Sequence, residues 1–133
     1  FPGAWCFNLS VEELREEWLG DCVGATDEGC DGCFIDRSNN MTSVIPTMRM
    51  STAQRAEFER AHMSTLSELN RRLKEKGKFA ISNNQGILAE GTVSMMIEDF
   101  SASGRCVRSL VAAAEKGLMV EVHAGDLPDD GPD

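Results

Sequence analysis

Four short apolar stretches alternate with helix-patterned segments along this chain, and each stretch closes on a polar residue. The stretches lie near residues 33–35, 78–82, 92–97 and 118–122. Their closing groups are Asp36, Asn83 with Asn84, Glu98 and His123. Strands that are apolar along their whole length suit a parallel sheet covered by helices. Parallel strands carry all their C-terminal ends on one side. The pattern therefore predicts that acid, amide, acid and imidazole converge on one rim from distant positions in the chain. Most strand ends carry no such chemistry.

The segments between the strands read as helices. Ser10 with Glu13 spells a capping box, S-x-x-E, ahead of a helix to about residue 23 whose apolar face is Val11, Leu14, Trp18 and Cys22. Residues 24–29 read as a turn. Ser51 with Gln54 opens the longest helix, about 52–76, with Phe58, Ala61, Leu66, Leu69 and Leu73 inward and Gly77 as its stop. His62 falls within it, at the surface or boundary. Residues 85–91 are too few for a full helix. Ser101 or Ser103 caps a third helix to about Lys116, with Val107, Leu110, Val111 and Ala114 inward and Gly117 as its stop. Residues 1–7 are aromatic (Phe1, Trp5, Phe7) and suit the tail of a strand.

The stretch 29–38, Gly-Cys-Asp-Gly-Cys-Phe-Ile-Asp-Arg-Ser, carries the sharpest expectation. A buried strand that delivers an acid at its C-terminal tip is how α/β barrels present reactive groups. Asp31 and Asp36 are five apart and point to opposite faces of an extended strand, so they do not share one role. Asp36 is read as the functional carboxylate, and Asp31 as a residue bonding nearby backbone where the strand begins. Residues 37–50 lack periodicity and form a long loop directly after Asp36, a placement typical of functional loops.

The five cysteines are Cys6, Cys22, Cys30, Cys33 and Cys106. Cys30 and Cys33 have C-x-x-C spacing, but no second such pair exists and the motif does not open a helix. Buried apolar thiols are the expectation for these cysteines. Asn8-Leu9-Ser10 and Asn40-Met41-Thr42 match the glycosylation acceptor pattern, which is relevant only if the chain is secreted.

The 133 residues are one domain's worth, and the 41% hydrophobic and 26% charged content is globular. A formal net charge of −9 argues against nucleic acid and anionic membranes as partners. No apolar run has membrane-spanning length.

Residues 28–36, Glu-Gly-Cys-Asp-Gly-Cys-Phe-Ile-Asp, resemble the "G-x-D-G-x-F-x-D" strand of TIM-barrel glycoside hydrolases of the polygalactosaminidase-like and "hypothetical glycosyl hydrolase" group. Residues 78–84 (strand, then Asn-Asn) and 95–100 (Met-Met-Ile-Glu-Asp-Phe) resemble the next two core strands of that group. The resemblance implies a partial (β/α)₈ barrel, α/β in class, over residues 1–125, with parallel strands and covering helices. It spans about strands three to seven. Asp36 would end strand four, Asn83 strand five, Glu98 strand six and His123 strand seven, with 126–133 an acidic loop or tail. Strands one, two and eight are missing from this pattern, and the Phe1 start favours a segment of a longer barrel. Exposed sheet edges then imply aggregation or oligomerisation.

Glycoside hydrolysis needs two carboxyl groups, one protonated and one ionised. Asp36 and Glu98 are the carboxylates at the tips of two apolar strands and are the expected catalytic pair. The resemblance assigns Glu98 as acid/base and Asp36 as nucleophile or base. Asn83, Asn84, Asn39, Arg37 and His123 are expected to contact an oligo- or polysaccharide, and Trp5 to stack on a sugar or fill the core. No cofactor or metal is expected, and a secreted or extracellular setting is favoured. Two further readings stay open: a non-catalytic carbohydrate-binding or degenerate barrel segment, and a metal-dependent barrel hydrolase using Asp36, Glu98 and His123.

Overall fold

In the computed structural model the described residues are 7–38, 50–83, 87–101 and 103–124, without the side chains of Asp99 and Ala124. Their elements run α1 (Glu12–Asp27), β1 (Gly32–Ile35), α2 (Thr52–Glu75), β2 (Phe79–Asn83), β3 (Ser94–Phe100), α3 (Gly104–Glu115) and β4 (Met119–Ala124). The sheet has the order β1-β2-β3-β4 with every pair parallel. The expected α/β class is therefore present, as a small four-stranded parallel sheet with three helices.

The register decides where the helices lie. Cys33 pairs with Ala80, Ser82 with Met95, and Met95 with Val120. Paired residues in adjacent strands point to the same face, and alternate residues to the other. Ala80 and Ile35 pack with Leu19 of α1 and with Leu69 and Leu73 of α2. Met95, Ile97 and Val120 pack with Cys106 and Ala113 of α3. Both clusters thus occupy one side of the sheet, and all three helices cover that side. The opposite face carries the row Phe34, Ile81, Ser94 and Met119. Phe34 and Met119, at its two ends, are each 52% exposed. Strands in sequential order with helices on one side form a singly wound sheet, unlike an open doubly wound one.

Local chemistry accounts for most element ends. Ser51 accepts from the Gln54 amide at 3.3 Å while Gln54 accepts from the Ser51 amide at 2.8 Å, so the expected capping box forms in both directions. Gly77 and Gly117 adopt φ +69° and +68°, the left-handed conformation that ends a helix. At each end the next residue's amide returns to the helix, Lys78 to Leu73 at 2.8 Å and Leu118 to Ala113 at 3.0 Å. The same turn thus feeds β2 and β4 directly from α2 and α3. Ser103, one of the two expected caps, accepts from the Cys106 amide at 3.4 Å.

Several expectations need correction. No side chain caps α1, whose N-cap position is Val11. Ser10 is engaged by Asn8 instead, its hydroxyl donating to Asn8 Oδ1 at 2.7 Å. The helix also runs past Gly24 to Asp27, because helix–sheet packing outweighs the modest penalty of an internal glycine. Its deepest residue is Leu19, fully buried, whereas Val11 and Leu14 are exposed. On α3 the inward residues are Cys106, Leu110 and Ala113, not Val107, Val111 and Ala114. Asp31 accepts from Lys78 Nζ at 3.1 Å rather than bonding backbone. Cys22 and Cys33 are not buried thiols but a disulfide joining α1 to β1, with Cα atoms 6.1 Å apart. Cys30 is an exposed thiol, and among the described cysteines only Cys106 fits the buried-thiol expectation; Cys6 lies outside the described residues.

A surface ion network braces α1 against α2. Glu68 accepts from both Arg71 and Arg72, and Arg72 reaches Glu16 of α1 at 2.8 Å. Hydrogen bonds from Arg71 and then Arg72 lower the Glu68 pKa from 4.5 to about 2. A depressed carboxylate pKa contributes stability that is present above about pH 4.5 and lost as pH falls through about 2. Glu68→Gln is expected to remove that part of the acid dependence. Solvent screening keeps the effect near neutral pH to about 2 °C in Tm. Thermal melts of both proteins between pH 2 and pH 7 check this; parallel Tm-versus-pH curves would contradict it.

Candidate functional site

The site forms where β1 ends. Residue 36 continues the alternation of β1 onto the face without helices, the face that also carries Asn83 of β2 and Glu98 of β3. Asn83 is 3% exposed, and its Nδ2 donates to Asp36 Oδ1 at 2.8 Å and reaches Glu98 Oε2 at 3.4 Å. Two carboxylates on different strands therefore share one amide nitrogen. Their bonded oxygens can be no further apart than the two contacts laid end to end, about 6 Å. The expected convergence of Asp36 and Glu98 is present.

β3 is irregular at this point. Its register with β4 shifts between Ile97, which pairs with Val122, and Phe100, which pairs with Ala124. The extra residue falls at Glu98–Asp99, beside His123. Bulges re-aim side chains and are frequent next to active sites. His123 is exposed, and strand alternation puts it on the same face as Glu98.

The turn after Asp36 is tied down at several points. Arg37 adopts φ +55°, the left-handed region that a non-glycine residue enters at a cost of about 1–2 kcal/mol. In that conformation its amide donates to Asp36 Oδ1 at 2.9 Å. Its carbonyl faces the other way and accepts from His62 Nε2 at 3.1 Å. Ser38 is 1% exposed, and its amide and hydroxyl both donate to the Asn83 carbonyl, each at 3.2 Å. One strand-end asparagine thus holds the turn by its backbone and the carboxylates by its side chain.

The remaining expected residues divide. The Arg37 side chain is exposed. Asn83 sits between the carboxylates rather than out at the opening, so its placement suits holding the acids more than touching a sugar. Trp5, Asn39 and Asn84 lie outside the described residues, as do residues 1–6 of the half-strand expected at 1–7, the second glycosylation pattern at 40–42, most of the expected 37–50 loop and the 126–133 tail. Sequence reasoning missed His62 and Ser38. The one available clue was position: a residue in the N-terminal half of a helix that follows a strand lies near that strand's C-terminal end. Among the described residues no group of three or more His, Cys, Asp or Glu is placed to hold a metal ion. No described helix is long and apolar enough to cross a membrane.

Asn83→Leu keeps volume but removes the donor shared by two carboxylates. Hydrogen bonds to charged groups contribute about 1.5–3 kcal/mol each, so a loss of about 2 kcal/mol in unfolding free energy is expected. Asn83→Asp, which puts a third carboxyl group beside the two carboxylates, is expected to lose more. Urea titrations rank the two, and equal stability of Asn83→Asp and the parent would refute the arrangement. No protein-family model matches the sequence, and no curated protein does.

Proposed function

We propose that this chain is a segment of a (β/α)₈ barrel of the glycoside hydrolase type, and that Asp36 and Glu98 cleave a glycosidic bond in an oligo- or polysaccharide. The observation that carries the reading is the pairing of two carboxylates, Asp36 just past the end of β1 and Glu98 at the bulge within β3, on the helix-free face through the Asn83 amide. The singly wound sheet supports the barrel, whose interior would be that face. Its exposed Phe34 and Met119 are then residues that further strands would cover. The resemblance of residues 28–36 and 95–100 points the same way.

Carboxyl groups about 5–5.5 Å apart suit a retaining mechanism, and separations of about 6.5–9.5 Å an inverting one. The bonded oxygens lie within about 6 Å of each other, a closeness compatible with retention. Asp36 faces two N–H donors, a setting suited to the group that attacks as an anion. Glu98 as the protonated acid would give its proton to the leaving oxygen while Asp36 Oδ attacks the anomeric carbon and the glycosidic C–O bond breaks. Water, deprotonated by the Glu98 carboxylate, would then release the sugar from Asp36 and restore the acid. The Cys22–Cys33 disulfide supports an oxidising setting such as the outside of the cell.

The test is hydrolysis of a panel of neutral and amino-sugar oligosaccharides, with the first-formed anomer read by NMR. Asp36→Asn and Glu98→Gln are each expected to lower the rate about 10³-fold or more while the fold is kept. Activity retained in both variants would sink the proposal. Saturable sugar binding without hydrolysis would select the non-catalytic alternative.

A further inference from the structure

We propose that His62 is a positioning residue for the Asp36 carboxylate, acting through the Arg37 backbone. The claim rests on the proposed role of Asp36. His62 lies in the N-terminal half of α2, the helix that follows β1 in the chain, and stands close to the end of β1. From there Nε2 meets the Arg37 carbonyl at 3.1 Å. A carbonyl only accepts, so this nitrogen carries the proton, in either the neutral ring or the imidazolium.

The Arg37 backbone, with one peptide group on each side of its Cα, is the link. A residue at φ +55° tends to relax toward negative φ unless its surroundings hold it. Here the carbonyl is held by His62 and the amide by Asp36 Oδ1 at 2.9 Å. Relaxation of Arg37 would swing that N–H off the carboxylate and leave Asp36 with fewer donors and a freer side chain. The Asn83 amide fixes the carboxylate from the sheet side, and Arg37 N–H fixes it from the turn side. His62 thus braces, from the helix layer, the half of the Asp36 cradle that the sheet does not supply. Small displacements of a reacting group lower rate steeply, on the order of 10²-fold for 1 Å.

The variants are His62→Ala, which removes the donor, and His62→Gln, which offers a side-chain N–H at similar reach. Three quantities are measured on the full chain: amide hydrogen exchange at Arg37, the ¹³C shift of the Asp36 carboxyl, and kcat with KM. In His62→Ala, Arg37 exchange is expected to rise about tenfold or more, the Asp36 carboxyl signal to move, and kcat to fall about 10- to 100-fold with KM little changed. His62→Gln is expected to return all three toward the parent. A generic structural role would alter exchange across α2 and would not be rescued in this pattern.

Unchanged Arg37 exchange in His62→Ala overturns the proposal whether or not the protein is a hydrolase. So does a rise in exchange with kcat intact, in a protein that Asp36→Asn inactivates. If the parent hydrolyses no sugar, the proposed function fails separately. The exchange and carboxyl signals then decide the positioning claim, which stands only if both move in His62→Ala and recover in His62→Gln.

Discussion

Gly32→Ala is expected to destabilise the domain by about 3 kcal/mol and to dismantle the Asp36 site with it. A Cβ at this position would lie 1.8 Å from the carbonyl oxygen of Phe79 and 2.9 Å from its carbonyl carbon. Both are backbone atoms of the neighbouring strand, so no side-chain rotation can make room. Either β1 shifts away from β2 or the pairing of Gly32 with Phe79 opens. β1 is only four residues long and delivers Asp36 from its far end, so a displaced start moves the carboxylate relative to Asn83. Gly29 is the control. It has φ +109° but open space around its would-be Cβ. Gly29→Ala is therefore expected to cost about 1–2 kcal/mol through backbone strain, leaving the site in place. Denaturant midpoints, with the Asn83 side-chain amide signals as a local reporter, separate the two cases. A Gly32→Ala protein as stable as Gly29→Ala would show that β1 and β2 do not approach this closely.

Reduction of the Cys22–Cys33 disulfide is the second large effect. The bridge closes a separation of 11 residues, and the chain-entropy account gives about 3 kcal/mol for a loop of that size. That is a large share of the stability of a domain this small. The location adds to the consequence. The bond ties α1 to the short edge strand β1 on the helix-covered face, where Trp18 and Ile35 pack beside Leu19 and Leu73. Without it, β1 is expected to open at lower denaturant than β3 and β4. Hydrogen exchange with and without reductant would show protection lost first at 32–35. The paired variant Cys22→Ser with Cys33→Ser should reproduce the pattern, and matching unfolding midpoints for reduced and oxidised protein would refute it. The exposed Cys30 gives thiol exchange a local partner. Labelling of Cys30 before unfolding keeps the two measurements distinct.

The helices α2 and α1 differ in how far local sequence sets their ends. The α2 boundaries follow from contacts within a few residues: the Ser51–Gln54 box at one end, and Gly77 with its left-handed turn at the other. Such signals act on neighbours in the chain and survive any tertiary arrangement. The α1 signal had the same form, S-x-x-E, and failed because Asn8 captures Ser10 first. Two local options of similar energy competed, and nothing in the spacing ranks them. The inward face of α3 failed for a different reason. Val107 and Val111 lie on one flank and Cys106 and Ala113 on another, and periodicity alone cannot say which of two adjacent apolar flanks meets Met95 and Ile97.

By itself the sequence determined the strand–helix alternation, the parallel class, and the placing of Asp36, Asn83 and Glu98 toward the C-terminal ends of their strands, because each is written in periods of two to four residues and in nearby turn chemistry. Tertiary structure alone decided that Cys33 bonds Cys22 and not Cys30, that all three helices share one face, that Asn83 lies between Asp36 and Glu98, and that His62 reaches the Arg37 carbonyl. Those contacts join residues 11 to 47 positions apart. They depend on register and packing angle, which are set by the sum of many weak apolar contacts, and no single spacing along the chain encodes that sum.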